Sequence, residues 1–144
     1  MITVDEIMSI ELRTLSEENT LADAQKIMSD AHIHHIPITN GNNSLKGLVS
    51  HRDVLAATES QLSDATLAQN ASDVPVSEFM TRDVATVDPR ANLRQAAVYL
   101  QKHKYGCLPV VEGDALVGIV TDSDFVSVAI NLLEQIEEFE PTEE

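Results

Sequence analysis

The stretch Gly47-Leu48-Val49-Ser50-His51-Arg52-Asp53 decides the fold of this chain. It recurs 71 residues later (118 − 47) as Gly118-Ile119-Val120-Thr121-Asp122-Ser123-Asp124. In both copies a short apolar run, typical of a strand, ends on a hydroxyl residue. An aspartate stands three residues further on, where it favours the first turn of a helix. This strand-to-helix junction, present twice, predicts a chain built from two α/β repeats.

The repetition extends along the chain on both sides of the junction. Val4-Asp5-Glu6-Ile7-Met8 recurs as Val76-Ser77-Glu78-Phe79-Met80, 72 residues later (76 − 4), and Pro37 is matched by Pro109 at the same distance. The distance then shortens by one residue, within a turn at residues 40–43 that contains Asn and Gly. A single deletion inside a predicted turn, with matches on both sides of it, indicates an internal duplication.

Each copy predicts the same order of elements, which is strand, helix, hairpin, helix. Thr20 and Asn92 are the predicted N-caps of the first helices, with Asp23 and Gln95 three residues on. The predicted fold class is therefore α/β, with two β-α-β-β-α repeats. The predicted segments are residues 12–15, from 21, 33–38, 45–49 and from 52 in the first copy, and 84–87, from 93, 106–111, 115–120 and from 123 in the second.

The composition divides the chain into four predicted regions. They are a first repeat at residues 1–60, a polar and partly helical linker at 61–75, a second repeat at 76–135, and an acidic tail at 136–144. Ile130, Leu133 and Ile136 recur at helical spacing, so the last helix is expected to run past the second repeat. The stripe of Leu132, Leu133 and Ile136 offers surface for a homodimer, although packing within the monomer explains it as well.

The charge balance restricts the possible partners. The chain has 24 Asp and Glu against 9 Lys and Arg, a formal charge of −15. A field of that sign repels DNA, RNA and anionic lipid, so we expect no nucleic-acid or membrane partner. It still permits a small phosphorylated molecule held by local backbone dipoles. No apolar run is long enough to span a bilayer and no secretory signal is present at the start, so a cytoplasmic location is expected.

Reactive side chains form no catalytic or metal-binding pattern in the sequence. On a strand His32 and His34 would face one way and His35 the other, so no metal is expected. Cys107 lies in an apolar run and is expected to be a small buried hydrophobe. The motifs of phosphate loops, nucleophile elbows and zinc proteases are absent from the sequence, so we expect that the chain is not an enzyme.

The repeat resembles a cystathionine-β-synthase (CBS) domain, and the whole chain resembles a stand-alone tandem pair, or Bateman module. The marks are the opening Val-x-Glu-x-Met, the strands Ile36-Pro37-Ile38 and Leu108-Pro109-Val110, and the closing signature quoted above. The resemblance implies two repeats packed about a pseudo-twofold axis. It also implies two clefts that bind an adenosine compound, either AMP, ADP, ATP or S-adenosylmethionine, with no required cofactor.

The closing signature has two physical interpretations. Unpaired N–H groups at a helix start favour an anion, Ser50 or Thr121 can donate to a phosphate, and Asp53 or Asp124 can accept both hydroxyls of a ribose. The same spacing also fits a capping box that needs no ligand, and from the residues alone this second interpretation is favoured. The resemblance reverses that preference.

The resemblance implies a set of ligand-binding residues drawn from both copies, with no catalytic and no metal-binding residue. Because the two copies differ at the His34-His35 pair and the first hairpin turn is longer by one residue, the two sites can differ in affinity or in the base they prefer, and one can be empty. The residues expected for one cleft are Thr14, His34, His35, Ile36, Pro37, Ser50, Arg52 and Asp53, and their counterparts are Thr86, Gly106, Cys107, Leu108, Pro109, Thr121, Ser123 and Asp124, although each cleft can borrow from both copies.

The function implied by the resemblance is that of a regulatory, energy-sensing module. Ligand binding would shift the relative orientation of the repeats, and a second subunit of a homodimer or an unknown regulated protein would detect the shift. The alternative is a ligand-free dimerisation or scaffold module in which Asp53 and Asp124 are only helix caps.

Overall fold

The computed structural model describes residues 1–63 and 70–140. The described chain contains two antiparallel hairpins and helices, in the predicted α/β class. Short 3₁₀ helices at Val4–Glu6, Ala71–Asp73 and Val76–Glu78 precede the two repeats. The main elements are α1 (Leu21–Ala31), β1 (His35–Thr39), β2 (Leu45–Ser50), α2 (His51–Ser63), α3 (Leu93–His103), β3 (Cys107–Glu112), β4 (Ala115–Thr121) and α4 (Asp122–Phe139).

The strand predicted at the front of each repeat is reduced to one residue. Leu15 forms an isolated parallel bridge to Ile38, and Val87 forms the equivalent bridge to Val110. The strand does not extend back from Leu15 because the chain crosses there between the hairpins, with Ser9 paired to Ile119 of β4 and Leu15 paired to Ile38 of β1. The prediction of strands at residues 12–15 and 84–87 was therefore wrong in length, and the residues before each bridge are left in extended loops.

The helix caps predicted from the sequence are confirmed. The Thr20 N–H donates to Asp23 Oδ2 at 2.9 Å and the Asp23 N–H donates back to Thr20 Oγ1 at 3.3 Å, a complete capping box at α1. The Asn92 side chain accepts from the Gln95 N–H at 3.1 Å at the start of α3. These caps set where both helices begin.

Two hydrophobic cores exist, and each contains the opening segment of the other repeat. The core around α1 and the first hairpin includes Val74, Val76 and Met80. The core around α3 and the second hairpin includes Val4, against which Ile7 and Met8 also pack. The opening segments are thus exchanged between the repeats.

The exchanged segments also close the outer edges of the hairpins. Leu48 on β2 pairs with Thr81, and Ile119 on β4 pairs with Ser9, in isolated antiparallel bridges. Gly47 is required for this contact, because a Cβ at that position would lie 2.7 Å from the Thr81 carbonyl oxygen. Edge strands with unpaired backbone groups are a hazard for aggregation, which the exchange removes on this side.

The predicted linker and tail are partly helical. The helix α2 continues to Ser63, inside the predicted linker, and residues 64–69 of that linker lie outside the described residues. The helix α4 continues to Phe139, so the last helix does run past residue 135, whereas residues 141–144 of the predicted tail lie outside the described residues. Within the described residues, no helix is both long and apolar enough to cross a membrane.

Candidate ligand-binding clefts

The first cleft, of about 810 Å³, opens at the N-terminus of α2. The first repeat contributes Ser50 and Asp53 of its closing signature to this cleft. The second repeat contributes the loop that follows its exchanged segment, residues 83–85, and the approach to β3, residues 104–107. This cleft is therefore an interface between the repeats rather than a hollow within one of them.

The second cleft, of about 340 Å³, is the counterpart at the N-terminus of α4. Its signature residues are Thr121 and Asp124 from the second repeat, and the opposite wall comes from residues 11–13, residues 32–35 and Pro37 of the first repeat. The two clefts thus have the same construction, because the signature of each repeat faces loops of the other repeat.

Each signature forms a capping box at the mouth of its cleft. The Ser50 N–H donates to Asp53 Oδ2 at 2.9 Å, and the Asp53 N–H donates to Ser50 Oγ at 3.1 Å. At α4 the Thr121 N–H donates to Asp124 Oδ2 at 2.8 Å, and the Asp124 N–H donates to Thr121 Oγ1 at 3.4 Å.

The caps leave part of each carboxylate unused. Among residues 1–63 and 70–140, no partner is found for Oδ1 of Asp53 or of Asp124. A carboxylate can accept several hydrogen bonds. The capping role is therefore compatible with a second role in holding a ligand hydroxyl.

His34 and His35 stand between the two clefts and line both of them. The ring of His34 stacks on that of His51, with 5.3 Å between the ring centroids. His35 is half-buried against Gly106, where a Cβ would lie 2.7 Å from His35 Nε2. The absence of a side chain at Gly106 is what admits the His35 ring.

The environment of His35 favours its neutral form. Burial lowers the pKa of His35 from its ordinary value, and the neighbouring His34 lowers it as well. The carboxylates of Asp122 and, more weakly, Asp53 act in the opposite direction on this pKa but do not outweigh burial. The ring between the clefts is thus an uncharged hydrogen-bonding group near neutral pH.

Cys107 is buried, as the sequence predicted, and it lines the first cleft. It is 5% exposed, and burial, with a smaller contribution from the charge of Asp122, raises the pKa of its thiol to about 12. A thiol that remains protonated near neutral pH is a poor nucleophile. In the part of the chain that the structure describes, no group of three or more His, Cys, Asp or Glu residues is arranged to hold a metal ion.

The structure regroups the predicted site residues across the repeats. The grouping of residues by repeat is corrected because the exchanged opening segments bring each signature against the other repeat. The first cleft receives His34, His35, Ser50, Arg52, Asp53, Gly106 and Cys107, and the second receives His34, His35, Pro37, Thr121, Ser123 and Asp124.

Five predicted residues do not line either cleft. Ile36 and Leu108 are fully buried in the two cores, and Pro109 is also fully buried. Thr14 and Thr86 are exposed in the loops before the two parallel bridges. Side chains alternate between the two faces of a strand, so Ile36 and Leu108 lie on the core face of their hairpins and Pro109 lies on the opposite face, where it is also buried.

Several lining residues were not predicted. The loops after Met8 and Met80 supply Glu11, Leu12 and Arg13 to the second cleft, and Asp83, Val84 and Ala85 to the first. A signal for them exists in the sequence, since the two loops stand 72 residues apart (83 − 11), the distance that relates the opening segments. They were missed because the predicted strands were extended over part of these loops.

The protein is thus a tandem-repeat module. Its two α/β repeats exchange their opening segments and enclose two clefts. A family model described as "CBS domain" matches residues 4–60 and 76–131. The chain belongs to the CBS domain family.

Solved structures of similar chains have the same architecture. The chain is 50% identical to an AcuB protein from Vibrio cholerae assigned to acetoin utilization, with a TM-score of 0.83, covering 98% of this chain and 99% of that one. It is 27% identical to CBSX2 from Arabidopsis thaliana, solved in complex with AMP, with a TM-score of 0.79 and coverage of 92% and 98%. The CBS domain pair of protein MJ0100, solved with 5′-methylthioadenosine and S-adenosylmethionine, is 25% identical, with a TM-score of 0.77 and coverage of 89% and 99%.

Some curated relatives are much longer than this chain. A homoserine O-acetyltransferase from Methanocorpusculum labreanum is 28% identical over 120 residues, which are 83% of this chain but 22% of that protein. The similarity therefore concerns a part of that protein that has the size of the CBS pair.

Proposed function

We propose that the chain is a regulatory module that binds an adenosine-containing ligand in the clefts between its repeats. The observation that carries the proposal is the repeated junction at α2 and α4. Each junction presents a hydroxyl and a carboxylate at a helix start, inside a cleft formed by both repeats. Relatives with the same architecture were solved with AMP or with 5′-methylthioadenosine and S-adenosylmethionine, which share the ribose that such a carboxylate can hold.

The exchange of segments couples ligand binding to the relative orientation of the two repeats. A ligand in either cleft touches residues of both repeats, so its affinity depends on how the repeats are oriented. A ligand that binds one orientation more tightly shifts the population toward it. A second copy of the chain or a regulated protein would detect that orientation through an outer surface. Cys107 supports a role without covalent catalysis, because its thiol is buried and protonated.

The surface proposed for homodimer contact is the apolar stripe on α4. Ile130, Leu133 and Ile136 are 53%, 57% and 56% exposed, so packing within the monomer does not account for the stripe. Association in water would bury this apolar surface with a gain of about 25 cal/mol per Å².

A second candidate function, a ligand-free scaffold, is favoured by one observation. Both signatures form reciprocal capping hydrogen bonds at a helix start, so Asp53 and Asp124 have a structural role. A test of the proposed function must therefore separate loss of a cap from loss of a ligand contact.

The capping box of α1 offers the matched control. The Thr20 N–H donates to Asp23 Oδ2 at 2.9 Å, the same length as the Ser50 to Asp53 bond, and Asp23 lines neither cleft. We would measure thermal shifts with AMP, ATP, 5′-methylthioadenosine, S-adenosylmethionine and GMP for wild type, Asp23→Ala and the double variant Asp53→Ala, Asp124→Ala.

The proposed function predicts that an adenosine ligand stabilises wild type and Asp23→Ala by the same amount and leaves the double variant unshifted. A ligand at a hundredfold excess over its dissociation constant stabilises by about 2.7 kcal/mol, which is readily measured. If all three folded proteins are unshifted by every ligand, the scaffold function is correct instead.

A further inference from the structure

The two clefts carry different charges at equivalent positions. The first two residues of α2 are His51 and Arg52, whereas those of α4, 71 residues later (122 − 51), are Asp122 and Ser123. Both pairs lie where the helix dipole and free N–H groups attract an anion. In the first cleft the Arg52 guanidinium adds to that attraction, and in the second the Asp122 carboxylate opposes it.

Asp122 also occupies a backbone amide that an anion would use. The Ser123 N–H donates to Asp122 Oδ1 at 2.9 Å. The preceding amides are equivalent in the two clefts, since the His51 N–H donates to the His34 carbonyl at 2.8 Å and the Asp122 N–H to the Gly106 carbonyl at 3.1 Å. The amide of Arg52 has no carboxylate before it in sequence, because His51 stands in the place of Asp122.

The walls opposite the helix starts also differ in charge between the two clefts. Lys104 lines the first cleft, and its equivalent in the second, 72 residues earlier (104 − 32), is His32. Arg13 is an exception to this difference, because it adds a positive charge to the second cleft where the equivalent residue of the first cleft, Ala85, is uncharged. The first cleft is also larger, at about 810 Å³ against about 340 Å³.

Other charged groups act on both clefts alike. Asp83 of the first cleft is matched by Glu11 of the second, and Asp53 is matched by Asp124. Asp122 borders both clefts, so its charge is felt in the first as well, but there Arg52 and Lys104 oppose it. The first cleft is thus distinguished by Arg52 at the helix start, where the second has Ser123, and by Lys104 on the opposite wall, against Arg13 in the second.

We infer that the first cleft takes an adenosine ligand that carries phosphate and that the second takes an adenosine ligand without phosphate, either neutral or cationic. The inference rests on the proposed function and assigns a ligand class to each of its two sites. Arg52 is the residue that discriminates in the first cleft and Asp122 the residue that discriminates in the second.

The test is isothermal titration of the full chain with ATP and, separately, with 5′-methylthioadenosine. The variant Arg52→Ser installs the residue found at the equivalent position 123, and Arg94→Ser is its matched control. Arg94 is also the second residue of a helix, α3, and lines neither cleft. Arg52→Ser is expected to weaken ATP binding about tenfold, the scale of one charge-assisted hydrogen bond, with the affinity for 5′-methylthioadenosine and the ATP affinity of Arg94→Ser unchanged.

A second variant tests the other cleft by installing the residue found at the equivalent position 51. Asp122→His removes both the negative charge and the carboxylate that accepts from the Ser123 N–H. We expect it to add a second ATP site to the protein, which the further substitution Asp124→Ala abolishes. Two results would overturn the inference while leaving the proposed function intact. One is an equal loss of ATP binding in Arg52→Ser and Arg94→Ser. The other is ATP binding at one site that depends on Asp124 rather than on Asp53. Absence of binding by both ligands to the folded wild type would instead overturn the proposed function.

Discussion

Leu48 and Thr81 are joined by two backbone hydrogen bonds. The N–H of each residue donates to the carbonyl oxygen of the other, and both N···O distances are 2.9 Å. Ser9 and Ile119 repeat this exchange at 2.9 and 3.0 Å. Each hairpin is thus completed by the opening segment of the other repeat. Since the segments that complete the hairpins lead directly into the cleft loops, folding of the two repeats and assembly of the two clefts depend on the same contacts.

The first prediction concerns the close approach at Gly47. A Cβ there would lie 2.7 Å from the Thr81 carbonyl oxygen and 3.0 Å from Met80 Sδ, so Gly47→Ala must displace the exchanged segment. We expect urea denaturation to show a loss of about 1–3 kcal/mol in the free energy of unfolding. Gly41→Ala is the control, because a Cβ at Gly41 meets nothing within 4 Å. Equal losses in the two variants would contradict the exchange.

The second prediction concerns the pH dependence of stability. Burial lowers the pKa of His35 in the folded state below the value of about 6.5 expected in the unfolded chain. The unfolded state therefore binds the proton more tightly, and the free energy of unfolding decreases as the pH falls below about 6.5. One such group contributes a slope of at most about 1.4 kcal/mol per pH unit.

The variant His35→Gln is expected to reduce that slope. The exposed His103, which is not among the groups that shift the pKa of His35, provides the control variant His103→Gln. Guanidinium unfolding at several pH values between 5 and 8 measures the slopes, and carboxylates that also titrate cancel in the comparison with wild type. A slope in His35→Gln equal to that of wild type would show that His35 is not the group responsible.

The third prediction concerns the reactivity of Cys107. Because the thiol is 5% exposed and its pKa is raised to about 12, we expect a disulfide reagent at pH 8 to modify it slowly in the native protein. Modification in 6 M urea should be faster by at least about a hundredfold, since the unfolded thiol has its ordinary pKa. Rapid modification of the native protein would place Cys107 on an open surface and contradict the description of the first cleft.

The fourth prediction concerns the proposed homodimer. Leu133→Glu places a charge in the apolar stripe of α4, where the side chain is 57% exposed in the monomer. Light scattering coupled to size exclusion should show wild type as a dimer and Leu133→Glu as a folded monomer. Gln135→Glu, an exposed position on the other side of the same helix, adds the same charge and should remain dimeric. A dimer in both variants would exclude the α4 stripe as the interface.

The site was predicted less completely than the fold. Ser50, Asp53, Thr121 and Asp124 were predicted and stand in the clefts, because a hydroxyl and a carboxylate at a helix start are a local pattern. Ile36 and Leu108 were also expected there but are core residues. A strand residue faces a cleft or a core according to what packs on each side of the hairpin, and the sequence of the strand does not specify that.

The sequence by itself determined the local structure of this protein. The hairpins and the caps at Thr20 and Asn92 depend on spacings or hydrogen bonds within a few residues, and the duplication can be read directly from the repeated sequence. Only the tertiary structure decided that Val4 packs in the second core and Val76 in the first. The opening segments are so alike that either arrangement buries similar apolar side chains, and the choice between them rests on contacts between residues that are distant in sequence. That choice brings each signature against the other repeat and so forms both clefts.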